Sequence, residues 1–324
     1  MKRVVCWIAV AAALVITGCE KKDAPGASGA LSAPELDLFR SVPGGNNLVF
    51  GGSYAKLQNF MQRTALGRMS RDAAESLGGK ALADWMQCFA DMKGLTIAGG
   101  ARFMGGAELR MVMSGVGIAE ISQCSTKSGF KTTPDADNKF VTIEIPGPNG
   151  PMTQGYLLVA PNTLYTRGTA TFGGVGVSMM SGTRADLEGD LASAKQKNVA
   201  TDTALQSVIA KADRSKTVWF AGSAAGTLLG DKLGEVYGSI DIGSGFAFDV
   251  IVQFVDAELQ RQIEDNIDQV KKMSDKAPSK EMKTLVDNLV AKRVGDRMRF
   301  ALKVDDSQLE ALMSMSGGML GGGM

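Results

Sequence analysis

The sequence predicts an α+β protein of two similar modules, each an antiparallel sheet covered by helices, in a duplicated arrangement of split-βαβ type. Three observations predict it. Two apolar runs ending in small residues and a serine look alike, Leu48-Val49-Phe50-Gly51-Gly52-Ser53 and Val218-Trp219-Phe220-Ala221-Gly222-Ser223. Each is followed by the same order of patterns: helix, strand, strand, helix, strand. The 324 residues are 44% hydrophobic and 21% charged, enough apolar material for a real core and a length suited to two domains.

The elements follow in chain order. Met1-Lys2-Arg3 is a basic start, and Val4 to Val15 (VVCWIAVAAALV) is an unbroken apolar run. That run is too short for a transmembrane helix, which needs ~20 apolar residues, and residues 1–18 read as a secretory signal. Residues 19–34 read as a flexible tether, because Glu20 to Pro34 is rich in Ala, Gly, Ser and Pro. The first module, 35–200, opens with the strand at Leu48. A helical region, Tyr54 to Met92, follows with a break at Gly78-Gly79. Strands Leu95–Gly99 and Glu108–Val116, a helix near Ile118–Lys127 and a strand at Phe140–Ile145 come next. The turn from Pro146 to Pro151 then introduces further strands in Met152–Thr171.

The second module, 201–313, carries the strand at Val218, a short helix near Leu228–Leu233, and strands Glu235–Ile242 and Phe246–Val255. A long helix begins at Asp256, where Leu259, Ile263, Ile267, Val270 and Met273 form one apolar stripe. Pro278 breaks the chain, and Met282, Leu285, Val286, Leu289 and Val290 form a second stripe. These two helices should fold as a hairpin over a sheet face made by Phe246, Phe248, Val250, Val252 and Phe254. A strand at Arg297–Val304 and a helix capped by Ser307 and Glu310 complete the set. The Gly- and Met-rich tail 314–324 reads as disordered.

Ile16-Thr17-Gly18-Cys19, placed directly after the apolar run, resembles the lipobox of bacterial lipoproteins. The resemblance implies cleavage before Cys19 and acylation of its thiol, making Cys19 the lipidated first residue of the mature chain. Several acyl chains anchor firmly, since each buried CH₂ contributes ~0.8 kcal/mol. Glu20 stands where an aspartate retains some bacterial lipoproteins in the inner membrane, which points to the outer membrane. Removal of residues 1–18 takes Lys2 and Arg3, leaving 35 − 2 = 33 basic against 34 acidic residues, a net charge of −1. The remainder resembles two-module envelope lipoproteins, through Cys88 ahead of Leu95-Thr96-Ile97-Ala98-Gly99 and Cys124 after Met111-Val112-Met113-Ser114-Gly115. That resemblance implies no activity.

Four cysteines are present; Cys6 leaves with the signal and Cys19 would be acylated. Cys88 and Cys124 remain, and in an oxidising compartment such a pair forms a disulfide. A redox-active pair would instead want a Cys-x-x-Cys-like proximity or an electropositive niche.

Composition excludes much chemistry. The chain contains no histidine, which removes Ser-His-Asp and Cys-His catalysis, zincins and His-ligated haem. A near-neutral charge argues against nucleic acid. Gly173-Gly174-Val175-Gly176 lacks the phosphate-binding pattern, and Asp135-Ala136-Asp137-Asn138 opens like a calcium loop but has Lys139 and Phe140 where a ligand and a glycine belong. Glu264, Asp265 and Asp268 read as the wet face of a helix, and Ser244 lies in a hairpin turn with no base to activate it. Met179, Met180, Met313, Met315, Met319 and Met324 are soft thioethers that could hold Cu(I), or simply fill gaps.

The expectation is therefore a non-enzymatic, lipid-anchored envelope protein that binds or scaffolds a protein or a small apolar ligand, touches the membrane through its N-terminal lipid, and has no catalytic residue, metal or cofactor. Beside it stands a histidine-free enzyme or a Met-based Cu(I)-binding envelope protein.

Overall fold

The computed structural model describes residues 31–53, 75, 79–85, 87–89, 91–92, 94–103, 107–145, 151–172, 177–224, 230, 232–242, 245–272, 274 and 280–308. The strands are β1 (Leu48–Ser53), β2 (Thr96–Phe103), β3 (Ala107–Ser114), β4 (Lys131–Pro134), β5 (Phe140–Ile145), β6 (Met152–Ala160), β7 (Thr163–Phe172) and β8 (Val177–Ser181), then β9 (Val218–Ser223), β10 (Leu233–Ile242), β11 (Gly245–Phe254), β12 (Val290–Val294) and β13 (Arg297–Asp305). The helices are α1 (Ala33–Arg40), α2 (Ile118–Lys127), α3 (Arg184–Gln196), α4 (Thr203–Ile209), α5 (Ala257–Lys272) and α6 (Lys280–Asp287). Residues 79–85 and 87–89 are also helical.

The thirteen strands among the described residues belong to one sheet, ordered β12-β13-β11-β10-β9-β1-β2-β3-β7-β6-β5-β4, with β8 beside β7. Every pairing is antiparallel. The expectation of two helix-covered modules is corrected by this continuity. The runs read as openings of separate modules, β1 and β9, pair with each other, with Phe50 opposite Phe220 and Val49 opposite Ala221. Their backbone N–H and C=O groups are satisfied across this seam rather than left at two sheet edges. Single-sequence patterning shows which residues form a strand, but not which edge the strand will share.

Glycine makes the seam possible. A Cβ on Gly222 would lie 2.1 Å from the Asn47 carbonyl oxygen, and one on Gly52 would lie 2.6 Å from that of Thr217. Both obstacles are backbone and cannot rotate away. Gly222→Ala is therefore expected to lower the unfolding free energy by about 3 kcal/mol, the upper part of the usual overpacking range. Urea unfolding would check this, and an unchanged midpoint would show that the seam tolerates a wider spacing.

Three apolar clusters sit on the sheet. On one face, at the seam, Val49, Ala98, Val112, Tyr165, Trp219, Ala221 and Tyr237 meet Phe39 of α1, Leu187 of α3, Val199, and Val208 and Ile209 of α4. On the other face, toward the β4 end, Met113, Val141, Ile143, Tyr156 and Leu164 meet Phe89 and Ile121, with Trp85 packed alongside. Also on that face, toward the β12 end, Phe248, Val250, Phe254, Phe300 and Leu302 meet Ile267, Leu259 and Ile263 of α5 and Leu285 of α6. The hairpin of α5 and α6 and the alternation of β11 are as expected from the sequence.

Several local expectations change. Val290 was placed in the second helical stripe; α6 ends at Asp287, and Val290 opens β12 instead. Leu233, expected in a short helix, begins β10, while 225–229 lie outside the described residues. Pro34, assigned to the tether, lies in the first turn of α1, and Leu31 before it is already buried. Most of Tyr54–Met92, the Gly173–Gly176 loop, Ser244 and residues beyond 308 lie outside the described residues. No helix among the described residues is long and apolar enough to cross a membrane.

Candidate functional site

The described residues form a cleft of about 160 Å³ where α1 crosses the ends of β1 and β2. Its construction begins at the helix cap. The Ser32 amide and hydroxyl both donate to Glu35 Oε2, at 2.9 and 2.6 Å, fixing the first turn of α1. The helix then lays Phe39 against Trp219 at a ring separation of 5.8 Å. Trp219 in turn lies so close over Gly51 that a Cβ there would stand 2.7 Å from the indole. Leu38 and Ala98 complete the apolar wall, and Ser53, Thr96, Ser215 and Lys216 supply polar atoms.

One charged pair braces the cleft. Arg214 Nη1 donates to Glu35 Oε2 at 2.6 Å, and the Arg214 side chain is only 7% exposed. Burial alone would raise the Glu35 pKa. The Ser32 hydroxyl and amide and the Arg214 charge outweigh burial and hold the carboxyl below its usual value. Glu35 therefore stays ionised and serves as a fixed acceptor, not as a proton carrier. Lys216 Nζ stands 3.2 Å from Asp241.

A second charged cluster lies between α3 and the sheet. Arg110 approaches Glu108 at 3.2 Å and Asp190 at 3.4 Å, while Arg167 approaches Glu108 at 2.6 Å and Asp190 at 3.6 Å. The Tyr165 hydroxyl donates to Asp190 Oδ2 at 3.0 Å. Two cations, two carboxylates and a phenol thus compensate one another under a helix, a structural role.

The calcium-like turn is filled by an arginine. Arg184 donates to Asp137 Oδ1 and Oδ2 at 3.0 and 2.8 Å, to Glu188 at 2.8 Å and to Asp135. Bonds from Arg184 and from the Lys139 amide pull the Asp137 carboxyl down to about 2, and Arg184 and the Ala136 amide lower Asp135 as well. A carboxyl with a depressed folded pKa contributes stability above its unfolded value near ~4, lost as pH falls through the folded value. The urea midpoint of Arg184→Gln should accordingly lie slightly below wild type at pH 7, with the gap narrowing as pH falls toward 2. A gap undiminished at pH 2 would show that Arg184 acts through packing.

The structure joins the two cysteines expected to pair. Cys88 and Cys124 form a disulfide with Cα atoms 5.7 Å apart, tying the helical residues 87–89 to α2. Glu264 lies 3.8 Å from Arg293, and Asp265 and Asp268 are exposed, so these carboxylates do not converge. Cys19, Met313, Met315, Met319 and Met324 lie outside the described residues, as do the side chains of Met179 and Met180. Sequence reasoning missed the cleft because its walls come from positions 35–39, 51–53, 96–98 and 214–219, far apart in the chain. The one local signal was Ser32-x-x-Glu35, a capping box that marks α1.

Comparison with protein-family models, curated proteins and solved structures found no match, so neither fold nor activity is carried over from a relative.

Proposed function

We propose that the chain is a lipid-anchored protein of the bacterial cell envelope that works by binding or scaffolding and performs no catalysis. The observation that carries this reading is Ile16-Thr17-Gly18-Cys19 at the end of the apolar run Val4 to Val15. The Cys88–Cys124 disulfide supports an oxidising compartment. A cleft whose carboxylate is already locked by Ser32 and Arg214 supports recognition rather than proton transfer. Glu20 after the lipidated cysteine favours the outer membrane.

The test is metabolic labelling of the full chain with an alkynyl palmitate in a bacterial host. The wild type should take up label and fractionate with membranes, and Cys19→Ser should do neither. An unlabelled wild type, or label retained in Cys19→Ser, would overturn the reading.

A further inference from the structure

We propose that the cleft between α1 and the ends of β1 and β2 binds a small amphipathic carboxylate, with its apolar body on Trp219 and its anionic end toward Lys216 and the serine-threonine mouth. The inference rests on the binding reading above and names the ligand class. Size comes first. An apolar cavity of about 150 Å³ accommodates benzene, so the observed 160 Å³ suits a single ring or a short alkyl chain.

The walls set the orientation. Trp219, Leu38 and Ala98 line the apolar side of the cleft. The indole is fixed by Gly51 beneath it and by a tilted contact with Phe39, so a ligand would meet a ring already in place. Preorganisation of this kind removes an ordering cost from binding.

The sign of the charge follows from the donors left over. Arg214 pairs with Glu35, and Lys216 faces Asp241 at 3.2 Å, so charges balance while donors outnumber open acceptors. Glu35 is engaged by Ser32 and Arg214, and Arg214 by Glu35, so this pair forms a rigid bracket. Lys216 differs: its side chain is 38% exposed, and an ammonium carries three donors, so its contact with Asp241 leaves it able to meet a second anion. Ser53 and Thr96, opposite each other on β1 and β2, add two hydroxyls at the same mouth, and both can donate to a carboxylate. A cation would find both nearby carboxylates, Glu35 and Asp241, already paired. A neutral amide of the same shape would keep the indole contact and accept hydrogen bonds at its carbonyl, but would lose the charge assistance from Lys216.

The test uses the full-length protein with its signal removed, in a Trp85→Phe background. The mature chain then retains Trp219 as its single tryptophan, since Trp7 leaves with the signal. Phenylacetate, phenylacetamide and benzylamine are titrated while indole emission is followed. Phenylacetate should give a saturable change, at a concentration at least tenfold lower than phenylacetamide requires, and benzylamine should give none. Lys216→Gln should weaken phenylacetate at least fivefold and leave the far-ultraviolet circular dichroism unchanged. Since the Lys216 side chain is exposed at the rim, this variant keeps the apolar wall intact. Absence of any saturable change overturns the proposal, as do equal responses to all three probes or an unaltered response in Lys216→Gln. Acylation of Cys19 is read independently, so failure of the cleft to bind leaves the anchored-protein reading standing, and the reverse holds too.

Discussion

Removing the Cys88–Cys124 bridge is expected to lower the free energy of unfolding by about 4 kcal/mol, from the loop-closure entropy of a 36-residue separation. The helical residues 79–85 and 87–89 pack on the sheet through Phe89, while Trp85 meets Phe89 edge-on at 4.6 Å, lies 6.1 Å from Phe130 and donates to Ser125 Oγ at 3.2 Å. Ser125 is itself fixed, donating to the Ile121 carbonyl at 2.8 Å. A Cys88→Ser/Cys124→Ser double variant would keep these contacts and lose the covalent constraint. Its urea midpoint, compared with the oxidised wild type, reads the bridge directly, and addition of reductant to the wild type should reproduce it. Equal midpoints would mean that non-covalent packing alone fixes the segment.

The second large effect concerns Asp190. Its side chain is 9% exposed, as is that of Arg110, and it receives the Tyr165 hydroxyl as well as facing both arginines. Asp190→Ala leaves a buried guanidinium without half of its counter-charge, and breaking a buried pair from one side costs about 3–5 kcal/mol. Tyr165→Phe removes one bond to the same carboxylate and should cost about 1 kcal/mol. Because both act on one group, the double variant should fall short of the sum. Chemical denaturation of the four proteins completes the cycle. Strict additivity would show that Tyr165 and Asp190 do not share a network.

Much of the strand content was legible because alternation survives in the sequence. Phe246, Phe248, Val250, Val252 and Phe254 all face the cluster with α5, as their period of two requires. The helix of residues 118–127 was legible from its own stripe, and β13 from its alternation. The join of β1 to β9 was not legible, since the two runs look alike and nothing local states that they are partners. Helix α3 escaped notice for a different reason: its inward face is Leu187, Asp190 and Ala194, and the aspartate interrupts the apolar stripe that marks a helix. Of the site, the disulfide was readable by elimination among four cysteines. The cleft needed the sheet order first, because Trp219 and Gly51 meet only once β9 lies beside β1.

The seam also orders events in time. Within either half of the sheet, no pairing spans more than 170 − 107 = 63 residues, the separation of Ala107 from Ala170. Across the seam, Phe50 waits for Phe220, a separation of 220 − 50 = 170 residues. Closing so long a loop is entropically the most demanding step of sheet assembly, and distant pairings slow folding. In a chain delivered from its N-terminus, the first half can zip from β1 through β7 while one edge of β1 stays bare. That edge accepts any compatible strand until residue 218 arrives, so the interval between those two moments is when a second copy could take the place of the chain's own β9.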